Sequence, residues 1–256
     1  MLALIAGRGR LPAAVAAAQA ERPLVCALEG HAPEGLTPDI TFRIERLGGL
    51  MKRLRARGVE RICLCGGVDR PRIRPLSFDL ATLAMLPAMR RALARGDDGA
   101  LRGAIALFEA QGFAVVAAHE AAPDLLPPLG VASRAAPDGE AEARTGDEVI
   151  AEMGRADLGQ AAVIRGNRVI ARETDSGTDA MLRGLGSEAA GAVLYKAPKP
   201  MQDRRADLPT IGPGTADGAI RAGLRGIVVE AGGVIVLDRT EVVGRLDAAG
   251  LWLWVR

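Results

Sequence analysis

Apolar residues along this chain fall into short runs separated by longer amphipathic stretches. Residues 2–6 form a continuous apolar run closed by Gly7-Arg8-Gly9. Residues 12–20 are alanine-rich, with Pro12 placed where the first turn of a helix tolerates it. A second run covers 24–28, an amphipathic helix is predicted over 49–57 and stopped by Gly58, and a third run covers 61–65 before Gly66-Gly67. Residues 78–95 and 98–111 predict two helices broken at Gly96, and a fourth strand follows over 113–118. Alternating strands and helices, with glycines at the strand ends, predict an α/β fold built on an open parallel sheet.

The pattern lapses over 123–138, which carries Pro123, Pro127, Pro128 and Pro137. This divides the chain into an N-terminal domain over 1–125, a linker over 126–139 and a mixed α/β C-terminal domain over 140–256. The second half restarts with a helix over 140–153, extending toward 157. Residues 161–165 and 168–172 around Gly166-Asn167 predict a hairpin with a two-residue turn. A capped helix start at Ser176 and a strand over 192–195 come next. Residues 196–214 then read as one irregular stretch holding Pro198, Pro200, Pro209 and Pro213. Structureless loops beyond about 12–15 residues in a compact domain are usually functional. A helix over 215–222, strands over 226–230 and 234–237, a helix over 240–249 and a strand over 251–255 complete the chain.

Composition narrows the chemistry. Hydrophobic residues make up 49% and charged residues 25%, as in a globular protein, and a net charge of +2 argues against nucleic acid as a partner. No stretch reaches the roughly 18 apolar residues of a membrane span. The first residues lack a basic leader and read as the first core strand, not a signal peptide. Cys26, Cys63 and Cys65 are too few for a secreted disulfide framework, so a cytoplasmic location is the default, and Cys63-x-Cys65 reads as strand packing. The two histidines, His31 and His119, are too sparse for most zinc or Ser–His chemistry, and none of the four serines sits in G-x-S-x-G. Lysine occurs only at 52, 196 and 199, and two of these fall in Lys196-Ala-Pro-Lys199-Pro.

Five stretches could carry chemistry. Gly7-Arg8-Gly9 and Gly66-Gly67-Val-Asp69-Arg70-Pro71 are strand-to-helix turns that would suit a phosphate, or simply tight turns. Gly96-Asp97-Asp98 reads more simply as a helix stop and cap than as a cation site. Glu173, Asp175 and Asp179 crowd around the Ser176-Gly-Thr178 helix start, and a cap explains only part of that acidity; Mg²⁺ or Mn²⁺ would suit the rest. The strongest stretch is 196–212, which gathers Lys196, Lys199, Gln202, Asp203, Arg204, Arg205, Asp207 and Thr210 in one proline-stiffened segment. Basic side chains clamp phosphate oxygens, and an Asp among them can hold a metal or orient water.

The chain resembles the LpxI-type UDP-2,3-diacylglucosamine pyrophosphatases of lipid A biosynthesis nearly end to end. The marks are Leu4-Ile-Ala-Gly-x-Gly9 with Leu11-Pro12, Gly66 with Arg70-Pro71, Gly96-Asp-Asp98, His119-Glu120 and Leu158-Gly-Gln160, together with Gly177-Thr-Asp-Ala-Met-Leu-Arg183, Lys196-Ala-Pro-Lys-Pro200 and Asp207-Leu-Pro-Thr-Ile-Gly212. Two departures are Arg8 in place of the family's usual glycine and Gly67 in place of its usual Asn. The resemblance implies a Rossmann-like N-terminal domain, a second α/β domain and a substrate held between them. It also implies Mg²⁺-dependent hydrolysis of UDP-2,3-diacylglucosamine to UMP and 2,3-diacylglucosamine 1-phosphate, with Asp207 as the essential aspartate.

On this reading Asp207 is the catalytic residue, a metal ligand or a water-orienting base, with Asp179 and Glu173 as further metal ligands. Gly7, Gly9, Gln160, Thr178, Lys196, Lys199, Gln202, Arg205 and Thr210 bind substrate, with Lys196, Lys199 and Arg205 neutralising the diphosphate. Both lysines are expected to face the substrate cleft. Peripheral contact with the inner membrane surface and homo-oligomer formation are left open. Two rivals remain: a pyrophosphohydrolase of another nucleotide sugar, and a non-catalytic nucleotide-sugar-binding protein.

Overall fold

A computed structural model describes residues 1–256 apart from 70–72, 75–76, 94–95, 157, 201–202 and 206, and describes no side chains for 93 and 96–98. The expectations for Arg70-Pro71, for the Asp97 and Asp98 carboxylates, for a helix end at Asp157 and for Gln202 lie outside the described residues. The chain divides into two compact units, one of residues 1–123 with 203–207, the other of 124–202 with 208–256.

The first unit is an all-parallel sheet with helices. Its elements are β1 (Leu2–Ala6), α1 (Leu11–Ala17), β2 (Leu24–Leu28), β3 (Ile40–Phe42), α2 (Leu47–Ala56), β4 (Arg61–Cys65), α3 (Leu80–Leu83), α4 (Leu86–Leu93), α5 (Gly96–Ala110), β5 (Ala114–Val116) and α6 (Ala118–Ala121). The strand order is β3-β2-β1-β4-β5, so it reverses direction between β1 and β4. Open α/β sheets place ligands at the carboxyl ends of the strands beside such a reversal. The core is built from Ala3, Cys26, Ile62 and Val115 on the strands with Leu50, Leu54, Ile105 and Phe108 on α2 and α5. Burial pushes the Cys26 thiol up to about 12, which fits the packing role read for the cysteines. The helix expected over 78–95 is two helices, with Asp79 capping the first through the Thr82 N–H.

Glu45 is a buried carboxylate in this unit. It accepts from Nε and Nη2 of Arg43 at 3.2 and 3.1 Å and from the Arg74 N–H at 2.6 Å. The Arg43 guanidinium holds its carboxyl down at about 2, against the cost of burial. The fixed charge ties the stretch after β4 to the chain between β3 and α2.

The second unit is a mixed sheet covered on both faces. Its elements are β6 (Gly130–Val131), α7 (Glu140–Arg155), β7 (Ala161–Arg165), β8 (Arg168–Arg172), α8 (Thr178–Arg183), β9 (Val193–Lys196), β10 (Thr210–Ile211), α9 (Pro213–Arg221), β11 (Gly226–Val229), β12 (Ile235–Val236), α10 (Arg239–Ala248) and β13 (Trp252–Val255). The order is β6-β13-β11-β9-β7-β8, parallel across β13, β11 and β9 and antiparallel elsewhere. Period-two alternation sends Val163, Leu194, Ile227 and Leu253 toward α9 and α10, and Ile164, Tyr195, Val228 and Trp252 toward α7. The 126–139 stretch, expected as a linker, contributes β6 to this sheet, where the Leu253 N–H also donates to Oγ of Ser133 at 2.8 Å. The 196–214 stretch is less irregular than expected, because Thr210–Ile211 pairs in parallel with Ile235–Val236. Among the described residues, no helix is long and apolar enough to cross a membrane.

Candidate functional site

The glycine turns of the first unit serve each other. The Gly7 N–H donates to the Cys65 carbonyl at 2.8 Å, while Arg8 and Gly67 exchange backbone hydrogen bonds of 2.8 and 3.0 Å. A Cβ on Gly7 would lie 2.4 Å from the Gly67 carbonyl oxygen, so glycine is required there for close approach of the two loops. The expectation that Gly7 presents a backbone donor to a phosphate therefore meets a competing use, because the N–H groups of Gly7 and Arg8 are committed to the neighbouring turn; at Gly9 the carbonyl accepts from the Glu34 N–H at 3.1 Å. Arg8 pairs with Asp69 at 2.6 Å, and the Asp69 N–H donates to Nε2 of the buried His31 at 3.2 Å. His119 lies on α6. Burial lowers its basicity, Glu120 opposes this and Arg204 adds to it; its buried Nδ1 has no hydrogen-bond partner among the described residues.

In the second unit, the predicted residues gather around one cavity of about 360 Å³. Its lining includes Glu173, Gly177, Thr178, Asp179, Lys196 and Thr210, together with Gly212 and Thr215 at the start of α9. Lys196 is the last residue of β9 and shares the strand face of Leu194, so the sheet delivers a buried ammonium to the cavity. Its Nζ donates to Oγ1 of Thr178 at 2.6 Å, and that hydroxyl donates to Oε1 of Glu173 at 2.6 Å. The other carboxylate oxygen of Glu173 accepts the Gln160 N–H at 2.6 Å. A Cβ on Gly159 would sit 2.5 Å from Cγ of Glu173 and 2.9 Å from its carbonyl oxygen. The Leu158-Gly-Gln160 signature is thus the seat of Glu173: the glycine makes room and the next N–H supplies a donor.

Lys199, Arg205 and Asp207 are not among the residues that line this cavity. Lys199 packs with Pro200 over Gly154 of α7, where a Cβ would meet Pro200 at 2.8 Å. The guanidinium of Arg205 is engaged by two carboxylates, Asp203 at 2.8 Å and Glu109 at 2.7 Å. Asp207 is exposed, and its N–H donates to the Asp203 carbonyl at 3.4 Å. Sequence reasoning missed Glu109 and the role of Gly159. A lone Glu on an exposed helix carries no signal, whereas Gly159 stood in a motif without a stated reason.

For a hard cation, the cavity of the second unit offers the Asp179 carboxylate at its rim. Each oxygen of Glu173 already accepts a hydrogen bond, so Glu173 is better placed to hold Thr178 than to bind metal. Among the described residues no group of three or more His, Cys, Asp or Glu side chains could hold an ion by itself. Mg²⁺ keeps several waters and takes one or two carboxylates plus substrate phosphate oxygens, and Asp179 could supply one such carboxylate.

The cavity suits an anion: a buried ammonium and the N-terminal turns of α8 and α9 face it. Residues 1–125 match the LpxI N-terminal domain and residues 128–254 the LpxI C-terminal domain. The chain is 39% identical over 268 aligned positions to the UDP-2,3-diacylglucosamine pyrophosphatase LpxI of Caulobacter vibrioides, covering 98% of this chain and 96% of that protein. Among solved structures, Acinetobacter baumannii RibD (form 2) overlaps 44% of this chain and 36% of its own at 14% identity and a TM-score of 0.29, too slight a likeness to bear on fold or function.

Proposed function

The chain belongs to the LpxI family, and from that premise we propose that it hydrolyses the diphosphate of UDP-2,3-diacylglucosamine, releasing UMP and 2,3-diacylglucosamine 1-phosphate. The observation that carries this reading is the Lys196–Thr178–Glu173 chain at the edge of the anion-suited cavity. Breaking a phosphoric anhydride needs positioning and charge neutralisation, and no Ser or His nucleophile. Lys196 neutralises phosphate oxygens, and Glu173 fixes the hydroxyl that fixes Lys196. Asp207 orients the attacking water and takes up its proton. Mg²⁺, with Mn²⁺ as a substitute, would take Asp179 as a carboxylate ligand and would offset the charge that develops on the phosphate oxygens.

The test is product release from UDP-2,3-diacylglucosamine and from UDP-N-acetylglucosamine, each with and without EDTA. UMP should form from the acylated substrate alone, and chelation should abolish it until Mg²⁺ is restored. Equal turnover of both substrates would favour the pyrophosphohydrolase of another nucleotide sugar. Binding without turnover of either would favour the non-catalytic nucleotide-sugar-binding protein. Full activity after exhaustive chelation would remove the metal from the mechanism.

A further inference from the structure

Residues 203–207 belong by their contacts to the first unit, although the chain on either side belongs to the second. Arg205 is central to how they are held. Its Nε and Nη2 donate to the two oxygens of Asp203 at 3.1 and 2.8 Å, and its own N–H donates to Asp203 at 3.1 Å. Asp203 and Arg205 thus close a turn on themselves. The partner from outside that turn is Glu109, whose Oε1 accepts from Nη1 of Arg205 at 2.7 Å.

Glu109 does not act alone on α5. Arg102 stands seven residues earlier and so lies on the same face of the helix. Arg205 first, and Arg102 with it, hold the Asp203 carboxyl below the usual carboxylate range. One face of α5 therefore carries Glu109, which meets the Arg205 guanidinium, and Arg102, whose charge favours the Asp203 carboxylate. We propose that Glu109, with Arg102, docks the Asp203–Asp207 segment on the first unit and thereby fixes the position of the Asp207 carboxylate.

On this assignment Glu109 is a positioning residue that never touches substrate, and Arg205 is a docking group before it is a phosphate clamp. The Arg205 and Glu109 side chains are 41% and 45% exposed. Such a pair adds little to global stability. It can still shift the local opening of a short surface segment. The inference rests on Asp207 as the catalytic carboxylate, so its test needs one readout that does not involve turnover.

That readout is tryptic cleavage after Arg204 or Arg205 in the full chain, identified by fragment mass. Glu109→Ala should speed cleavage at these two sites about threefold to fivefold, the scale of losing one exposed ion pair. It should lower kcat by a similar factor with KM held within twofold and Tm nearly unchanged, and Glu109→Asp should recover part of both losses. High salt should bring wild-type cleavage toward the Glu109→Ala rate, because exposed pairs are screened. Cleavage unchanged in Glu109→Ala would overturn the docking, whatever kcat does. Faster cleavage with unchanged kcat would overturn the positioning role. Asp207→Asn, assayed alongside, separates the two readings: if it keeps wild-type kcat, the catalytic assignment fails, and the cleavage rates still decide the docking.

Discussion

The ammonium of Lys196 and the carboxylate of Glu173 are joined through a single hydroxyl, Oγ1 of Thr178, with 2.6 Å on either side. The hydroxyl takes one proton and gives one, so it links the two charges in a buried place. Lys196→Met keeps the stem and removes the cation. It should cost on the order of 10²-fold in kcat/KM, as removal of one electrostatic donor typically does. Burial also makes Lys196 structural, so a stability loss of about 1–3 kcal/mol should accompany it, visible in urea unfolding. Thr178→Val, which cuts the relay and keeps both charges, should lower kcat/KM about tenfold. Wild-type kinetics in both variants would show that the cavity is not where the diphosphate binds.

Asp207→Ala should reduce kcat by about 10³-fold or more while KM stays within a few fold, since the group works mainly in the transition state. Steady-state kinetics checks this. A rise in KM at unchanged kcat would reassign Asp207 to binding.

Gly159→Ala should be disproportionately harmful for one added methyl. Its Cβ would meet Cβ, Cγ and the carbonyl oxygen of Glu173 at 2.5–2.9 Å, and the backbone oxygen cannot swing aside. We expect about 1–3 kcal/mol of destabilisation, the usual range for overpacking, with a fall in kcat/KM as Glu173 shifts. Thermal unfolding and kinetics on the same sample would check both. A neutral Gly159→Ala would mean the Glu173 seat is loose.

Glu45 gives an acid-side prediction. Its carboxyl is lowered from 4.5 to about 2 in the folded chain, chiefly by Arg43. A depressed carboxylate contributes stability above its unfolded value, and that contribution is lost as the pH falls from 4.5 toward 2. Glu45→Gln should therefore cost on the order of 1–3 kcal/mol near pH 7 and flatten the stability profile below pH 5. Urea midpoints across that range would show it. Parallel profiles for variant and wild type would rule it out.

The strand–helix alternation of the first half was legible because β1, β2 and β4 are five-residue strands dominated by apolar residues and followed by glycine or turns. What escaped was short or non-local. The three residues of β3 and the two each of β6 and β10 are too few to show a period, and they are strands only because a neighbour pairs with them. At the site, local crowding of charge pointed to Glu173, Thr178, Asp179 and Lys196, and one cavity gathers them. Arg205 and Lys199 read as equally good phosphate groups, because sequence shows the charge of a side chain and not the partner it finds. Of the two carboxylates that engage Arg205, Glu109 stands 96 positions earlier.

The chain passes between its two units after residues 123, 202 and 207, and the last two passages enclose the Asp207 segment. The LpxI N-terminal domain match ends at residue 125, well before that segment. A gene divided at that point would give a first product missing part of its own surface, and a second trailing a charged strip with nothing beneath it. The halves are consequently poor units of exchange. A chimera that borrows its first half from a relative must also bring an α5 face matched to the recipient's residues 203–207, so these distant stretches should drift in step as the family diverges.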